Sequence, residues 1–145
     1  AGATPADGSL WQLSEIRAGI PWITAATQEE FVPQMTNLDL IGGVSFNKGC
    51  YTGQEIIART QHLGKVKRRM LRVRIDNAEV RAGQEVFSPE MNGQHSGKIL
   101  LAAACSDRAS EALVVVQLSS IEHGLHLDSP EGVVLQPLQL PYQVE

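Results

Sequence analysis

Residues 48–59 read Lys-Gly-Cys-Tyr-Thr-Gly-Gln-Glu-Ile-Ile-Ala-Arg. Thr52 and Glu55 have the spacing of a capping box, in which the two side chains satisfy unpaired amides at a helix start. The spacing predicts a helix from Gly53 to His62, with Thr52 as its N-cap and Gly64 as its C-terminal cap. Cys50 then lies two residues ahead of the helix, near its positive dipole end. That setting favours thiolate over thiol, and Lys48 pushes the same way. The spacing equally suits a bland role for Cys50, a small apolar residue at a helix entry. Gly49 and Gly53 either form ordinary turns or let a ligand approach the backbone closely. Tyr51 can stack on a flat ring or sit half-buried. Glu55 and Arg59, four apart with the acid first, suit an intrahelical pair of about 0.3–0.5 kcal/mol.

The elements around this run fall into two characters. Residues 9–18 are spaced as a short amphipathic helix, with Ser9 as its N-cap and Gly19 at its end. Pro21 calls for an extended exit. Residues 22–48 show little regular pattern; 36–39 read as the start of a single helical turn, and Val44 to Phe46 as a short extended stretch. From Lys65 onward the pattern is short strands and turns. Arg69 to Ile75 alternates, with Leu71, Val73 and Ile75 on one face and Met70, Arg72 and Arg74 on the other. Arg68 shares the parity of Arg72 and Arg74, so three guanidinium groups could form an anion-binding row or a solvated edge. Further strands are expected at 85–88, 97–105, 112–119, 123–128 and 133–138, separated by turn-forming residues. Pro137 confines the last of these to a sheet edge. The expected fold class is α+β: a helix and loop region over residues 1–64, then a small antiparallel β-barrel over residues 65–145.

Composition narrows the function. The chain has 145 residues, 43% of them hydrophobic and 19% charged, which suits a folded globular protein. Its net charge is −4, yet 8 of its 12 Lys and Arg lie between Lys48 and Arg74, beside the one acid Glu55. A basic stretch in an acidic chain suggests a local anion site, or lysines that guard a strand edge. No signal peptide and no bilayer-spanning run is apparent, and two cysteines make neither a disulfide framework nor a zinc site. No membrane partner, no metal and a cytoplasmic location are therefore expected. Cys105, ending an apolar strand, reads as a core residue, and the four histidines show no metal-ligand spacing.

Lys48 to Glu55, Ala58-Arg59, Gly64 and Arg68 together resemble the signature of the YgfZ-type folate-binding proteins, relatives of the glycine-cleavage T-protein (aminomethyltransferase). Gly19-Ile20-Pro21, Phe31 to Gln34, Thr36 to Leu38 and Ser45-Phe46 agree with the same family. The resemblance is strong over residues 10–75 and weak over the barrel. It implies that residues 1–64 are the tail of a longer, aminomethyltransferase-like folate-binding body. It also implies tetrahydrofolate as cofactor and iron–sulfur enzymes or their assembly proteins, tRNA-modifying ones included, as partners. By this resemblance the reactive group is Cys50, acting with Lys48, Tyr51 and Glu55. Gly49, Gly53, Gln54, Arg59 and Arg68 join the folate side. The family commonly has an arginine four residues before the glycine of Gly-Ile-Pro; here that position is Glu15, and Arg17 is the candidate substitute.

Three functions follow as expectations. The first is a folate-binding accessory factor for iron–sulfur enzymes, with Cys50 as its reactive thiol; this favours a binding and maintenance factor over an enzyme. The second is a tetrahydrofolate-dependent aminomethyl or one-carbon transferase, against which the cysteine argues, because the related transferases carry the lysine–glycine pair without it. The third is a tRNA-binding module using Lys65, Arg68, Arg72 and Arg74, against which the acidic chain and the lack of an aromatic stacking row argue.

Overall fold

The computed structural model describes residues 8–43 and 66–144. Its centre is one six-stranded antiparallel sheet: β1 (Arg68–Ile75), β2 (Glu85–Phe87), β3 (His95–Ala104), β4 (Ser110–Gln117), β5 (His126–Leu127) and β6 (Leu135–Leu138), in the order β5-β2-β3-β4-β1-β6. The sheet curls until its edges meet. His126 bridges Val134, Leu127 N–H donates to the Val133 carbonyl at 2.9 Å, and Leu135 N–H to that of Leu125 at 2.8 Å. Curling of this kind covers both strand edges, which would otherwise template unwanted pairing. It encloses Val73, Ile75, Val86, Ile99, Val114, Val116, Leu127 and Leu135. The expected edge position of Pro137 holds: β6 ends the strand order, and Pro137 stands opposite Val73 of β1, beyond the Leu135 end that meets the other edge.

A second apolar cluster lies on the outside of the sheet. Helix α1 (Gly8–Ala18) lays Leu13 and Ile16 over Met70, Leu100, Leu101, Leu113 and Val115. Strand β4 is therefore buried along seven of its eight residues, which is why its sequence is a nearly continuous apolar run rather than an alternation. Each fully buried Leu or Ile of this kind stabilises the fold by about 1.5–3 kcal/mol. Phe31 and Met35 pack against the same cluster, and Lys98 pairs with Glu30 at 2.9 Å. The segment before the signature thus rests on the barrel's outer face.

Helix α1 ends as expected at Gly19. Gly19 N–H donates to the Ile16 carbonyl and Ile20 N–H to that of Glu15, both at 3.0 Å, a Schellman stop. Gly19 has φ +70°, and an added Cβ would lie 2.7 Å from the Leu140 side chain. Three expectations need correction and one is extended. Ser9 lies inside the helix, which starts at Gly8. The helix is not amphipathic: Leu13 and Ile16 are buried while Leu10 and Trp11 face outward. The turn expected to start within 36–39 is present, the Asn37 carbonyl accepting from Leu40 and Ile41 N–H at 2.9 and 3.2 Å, and a 3-10 turn over Pro33–Thr36, started by the proline and ended by Asn37 with φ +63°, precedes it. The strand placed at 123–128 shrinks to His126–Leu127: His123 ends a 3-10 turn over Leu118–His123, and Gly124 and Asp128, with φ +90° and +65°, break the extended backbone on either side. That turn is held by buried hydroxyls: Ser96 Oγ donates to Ser120 Oγ at 2.7 Å, and Ser120 Oγ to Glu90 at 2.5 Å.

Candidate functional site

Lys48, Gly49, Cys50, Tyr51, Gly53, Gln54, Glu55 and Arg59 lie outside the described residues, as do the predicted 53–62 helix and Gly64. Of the residues assigned to the site from sequence, Arg17 and Arg68 are described. The structure does describe the frame from which the signature departs and to which it returns.

Residues 33–39 lead toward the signature, and β1 follows it. Two buried links join them. Arg69 donates from Nη1 to Asp39 Oδ1 at 2.6 Å and from Nη2 to Oδ2 at 3.1 Å, a two-pronged pair of side chains only 7% and 6% exposed. The same Nη1 donates to the Gln34 carbonyl at 2.8 Å. Asn37, fully buried, acts as a surrogate strand. Its Nδ2 donates to the Met70 carbonyl at 2.8 Å, and Met70 N–H donates to its Oδ1 at 3.2 Å. Strand β6 stops at Leu138, opposite Arg72, so the side-chain amide satisfies backbone groups that β6 no longer reaches. Asparagine suits the position twice, because it also tolerates the left-handed backbone found there. Tyr142 extends the link: its hydroxyl donates to the Gly19 carbonyl at 2.7 Å and accepts from Asn37 at 3.3 Å. Burial raises the Tyr142 phenol above its ordinary pKa, while the Asn37 bond and the Arg69 charge oppose that shift.

Arg17 and Arg72 share one carboxylate. Arg17 Nε donates to Glu111 Oε2 at 2.8 Å, and Arg72 Nε donates to Oε1 at 3.0 Å. Arg72 also donates to the Gln139 carbonyl at 3.0 Å. Burial alone would raise the Glu111 pKa. The hydrogen bonds from Arg17 and then Arg72 outweigh burial and hold the carboxyl below its ordinary range. Hydrogen bonding to Glu111 is likewise the largest influence on Arg17, whose pKa is raised.

The arginines of β1 therefore do not form one free cationic row. Arg69 pairs with Asp39, Arg72 with Glu111, and Arg74 more loosely with Asp76 at 3.6 Å. Arg68 instead lines an open groove of about 370 Å³ with Glu85, Phe87, Met91, His95 and Gln117. Cys105 is half-buried at the margin of the outer cluster rather than enclosed within it. Among the described residues, no group of three or more His, Cys, Asp or Glu could hold a metal ion, and no helix is long and apolar enough to cross a membrane.

Two curated relatives align with nearly the whole chain. The "tRNA-modifying protein YgfZ" of Photobacterium profundum is 35% identical over 143 residues, covering 96% of this chain. The protein of the same name from Colwellia psychrerythraea is 36% identical over 140 residues, covering 92%. The chain belongs to the YgfZ family. It spans 43% and 42% of the length of these two YgfZ relatives. No family model matches the chain.

Within this YgfZ-type chain, sequence reasoning missed the residues that frame the signature: Asn37, Asp39, Arg69, Glu111 and Tyr142. A signal existed for one of them. Arg69 shares the parity of Leu71 and Val73, and a charge on the apolar side of a strand calls for a buried partner. Nothing in the local pattern points to Glu111, which sits in the apolar run of β4 and is explained by Arg17 and Arg72 from distant parts of the chain.

Proposed function

We propose that this chain is the C-terminal part of a YgfZ-type accessory factor for iron–sulfur enzymes, tRNA-modifying ones among them. Residues 1–64 are the tail of its aminomethyltransferase-like folate-binding body, and residues 65–145 its barrel domain. The reading rests on one observation: the Lys-Gly-Cys-Tyr-Thr-Gly-Gln-Glu run at 48–55 in a chain whose relatives carry the name tRNA-modifying protein YgfZ. Cys50 is the reactive thiol, with Lys48 and a helix start favouring its thiolate form. Tyr51 and Glu55 are assigned to act with it.

Tetrahydrofolate is the cofactor of this reading. Its anionic tail calls for a cation that is not already neutralised. Arg17 fits poorly, because Glu111 holds it. Arg68 fits better: it lines an open groove and makes no ion pair among the described residues, although Glu85 lines the same groove. Gly49, Gly53, Gln54 and Arg59 make up the rest of this chain's share. When bound, the cofactor would supply a one-carbon carrier, which these residues of the chain help to orient. The links from Arg69 to Asp39 and from Asn37 to Met70 support the reading, because they fix the approach to the signature and the return from it on one strand. Such support from a rigid element is what an oriented thiol requires.

Most of a folate pocket belongs, in this account, to the body outside these 145 residues. Calorimetric titration with tetrahydrofolate tests this. The full-length polypeptide binds, and the 145-residue chain binds at least about a hundredfold more weakly, a difference of about 2.7 kcal/mol. Equal affinity in the two would overturn the assignment of the pocket to the missing body.

A further inference from the structure

Helix α1 is apolar on more than one side. Leu13 and Ile16 fill the cluster above β3 and β4, yet Leu10 is 59% and Trp11 70% exposed. The chain leaving the helix adds Trp22, 56% exposed, and Ile23, 52% exposed. Trp11 and Trp22 are brought to the same side of the helix through Glu15. Trp22 donates its indole N–H to Glu15 at 3.3 Å, and Glu15 stands one helical turn beyond Trp11 on the same face. Ser14, Glu15 and Arg17 lie on the same outward side, so two large exposed indoles stand among polar neighbours beside a helix whose opposite stripe is already covered. Both tryptophans of the chain lie on this side, and each indole carries about 150–250 Å² into an interface. Patches of this kind mark contact sites.

We propose that this face is the docking surface for the part of the same polypeptide that lies outside these residues. The argument for that occupant is length. The chain spans only 42–43% of its YgfZ relatives, so more than half of such a polypeptide must pack somewhere. Helix α1 already covers the barrel with one side and offers the other. The contact would sandwich α1 between two bodies and tie the frame of the signature to the missing body. This inference rests on the reading of the chain as part of a longer YgfZ-type factor. It adds the residues through which the parts meet.

The test compares the 145-residue chain with the full-length polypeptide carrying it. The double variant Trp11→Ser, Trp22→Ser leaves the thermal midpoint of the short chain unchanged and lowers that of the full-length protein by at least about 5 °C. If the serine variant of the longer protein does not fold, the conservative pair Trp11→Phe and Trp22→Phe gives a second readout by difference. The indole emission so isolated is open to iodide quenching in the short chain, and blue-shifted and protected in the long one. Equal quenching in both forms, or an unchanged midpoint for the long serine variant, would overturn the proposal. So would sedimentation showing that the short chain and the full-length protein both dimerise through these tryptophans, which would make a second copy the occupant. None of these outcomes depends on folate or on the Cys50 thiol, so a failure here stays separate from a failure of the functional reading.

Discussion

Replacing Asp39 by asparagine keeps the shape of the side chain and removes its charge. Arg69 then stays in a site where its side chain is only 7% exposed, with no carboxylate to balance it. Of the two prongs, at 2.6 and 3.1 Å in the parent, one can still be accepted by the amide oxygen, while the amide NH2 meets the other guanidinium N–H as donor against donor; the Gln34 carbonyl remains as a neutral acceptor at 2.8 Å. Breaking a buried pair by neutralising one partner costs about 3–5 kcal/mol. An exposed pair would cost at most about 1 kcal/mol, so burial decides the expectation. Retention of an amide at position 39 places the estimate at the lower end, about 3 kcal/mol. With a urea slope of about 1.5–2 kcal/mol/M, the unfolding midpoint followed by circular dichroism falls by about 1.5–2 M. The double variant Asp39→Leu, Arg69→Met removes both charges and recovers most of that loss, because the penalty comes from the orphaned guanidinium. A single variant within about 1 kcal/mol of the parent, or a double variant less stable than the single, would refute the reasoning.

Two further outcomes follow from the same frame. Asn37→Gly keeps the left-handed backbone but strips both bonds to Met70, and it costs about 1–3 kcal/mol for each backbone group left without a partner, read by the same urea titration. Glu111 makes stability depend on acid. Its folded pKa is depressed, so its contribution is fully present above the unfolded value of about 4.3 and is lost as pH falls through the lower folded value. Thermal midpoints measured below about pH 4.3 therefore fall more steeply with acid in the parent than in Glu111→Gln; parallel curves would contradict the arginine-held carboxylate.

Much of this fold was legible in the sequence because its signals are local. Gly19 marks the end of α1, the alternation from Arg69 to Ile75 marks β1, and Pro137 marks an edge strand; each works through a neighbour or through its own backbone. What stayed hidden depends on contacts far along the chain. The 118–123 turn owes its form to Ser96 and Glu90, and a strand-like pattern there is overridden by the buried hydroxyl network. Arg17 looked like a free cation for an anionic ligand until Glu111, 94 residues away, was seen to hold it. The arginine parity along β1 was real, but parity says which side a residue takes, not whether a carboxylate waits there. Helix α1 looked amphipathic because Leu10, Leu13 and Ile16 have helical spacing. Trp11, beside Leu10, gives the helix its second apolar side. The signature run remained the strongest functional signal, and the comparisons with YgfZ relatives support the same family without reference to any single side chain.

The account depends most on the thiol of Cys50. Cells that lack the full-length protein, given it back with Cys50→Ser, provide the direct measurement: the level of a tRNA modification made by an iron–sulfur enzyme, alongside the amount of folded variant. The account predicts normal protein abundance with modification no higher than in cells without the protein. Modification at the parent level would contradict it.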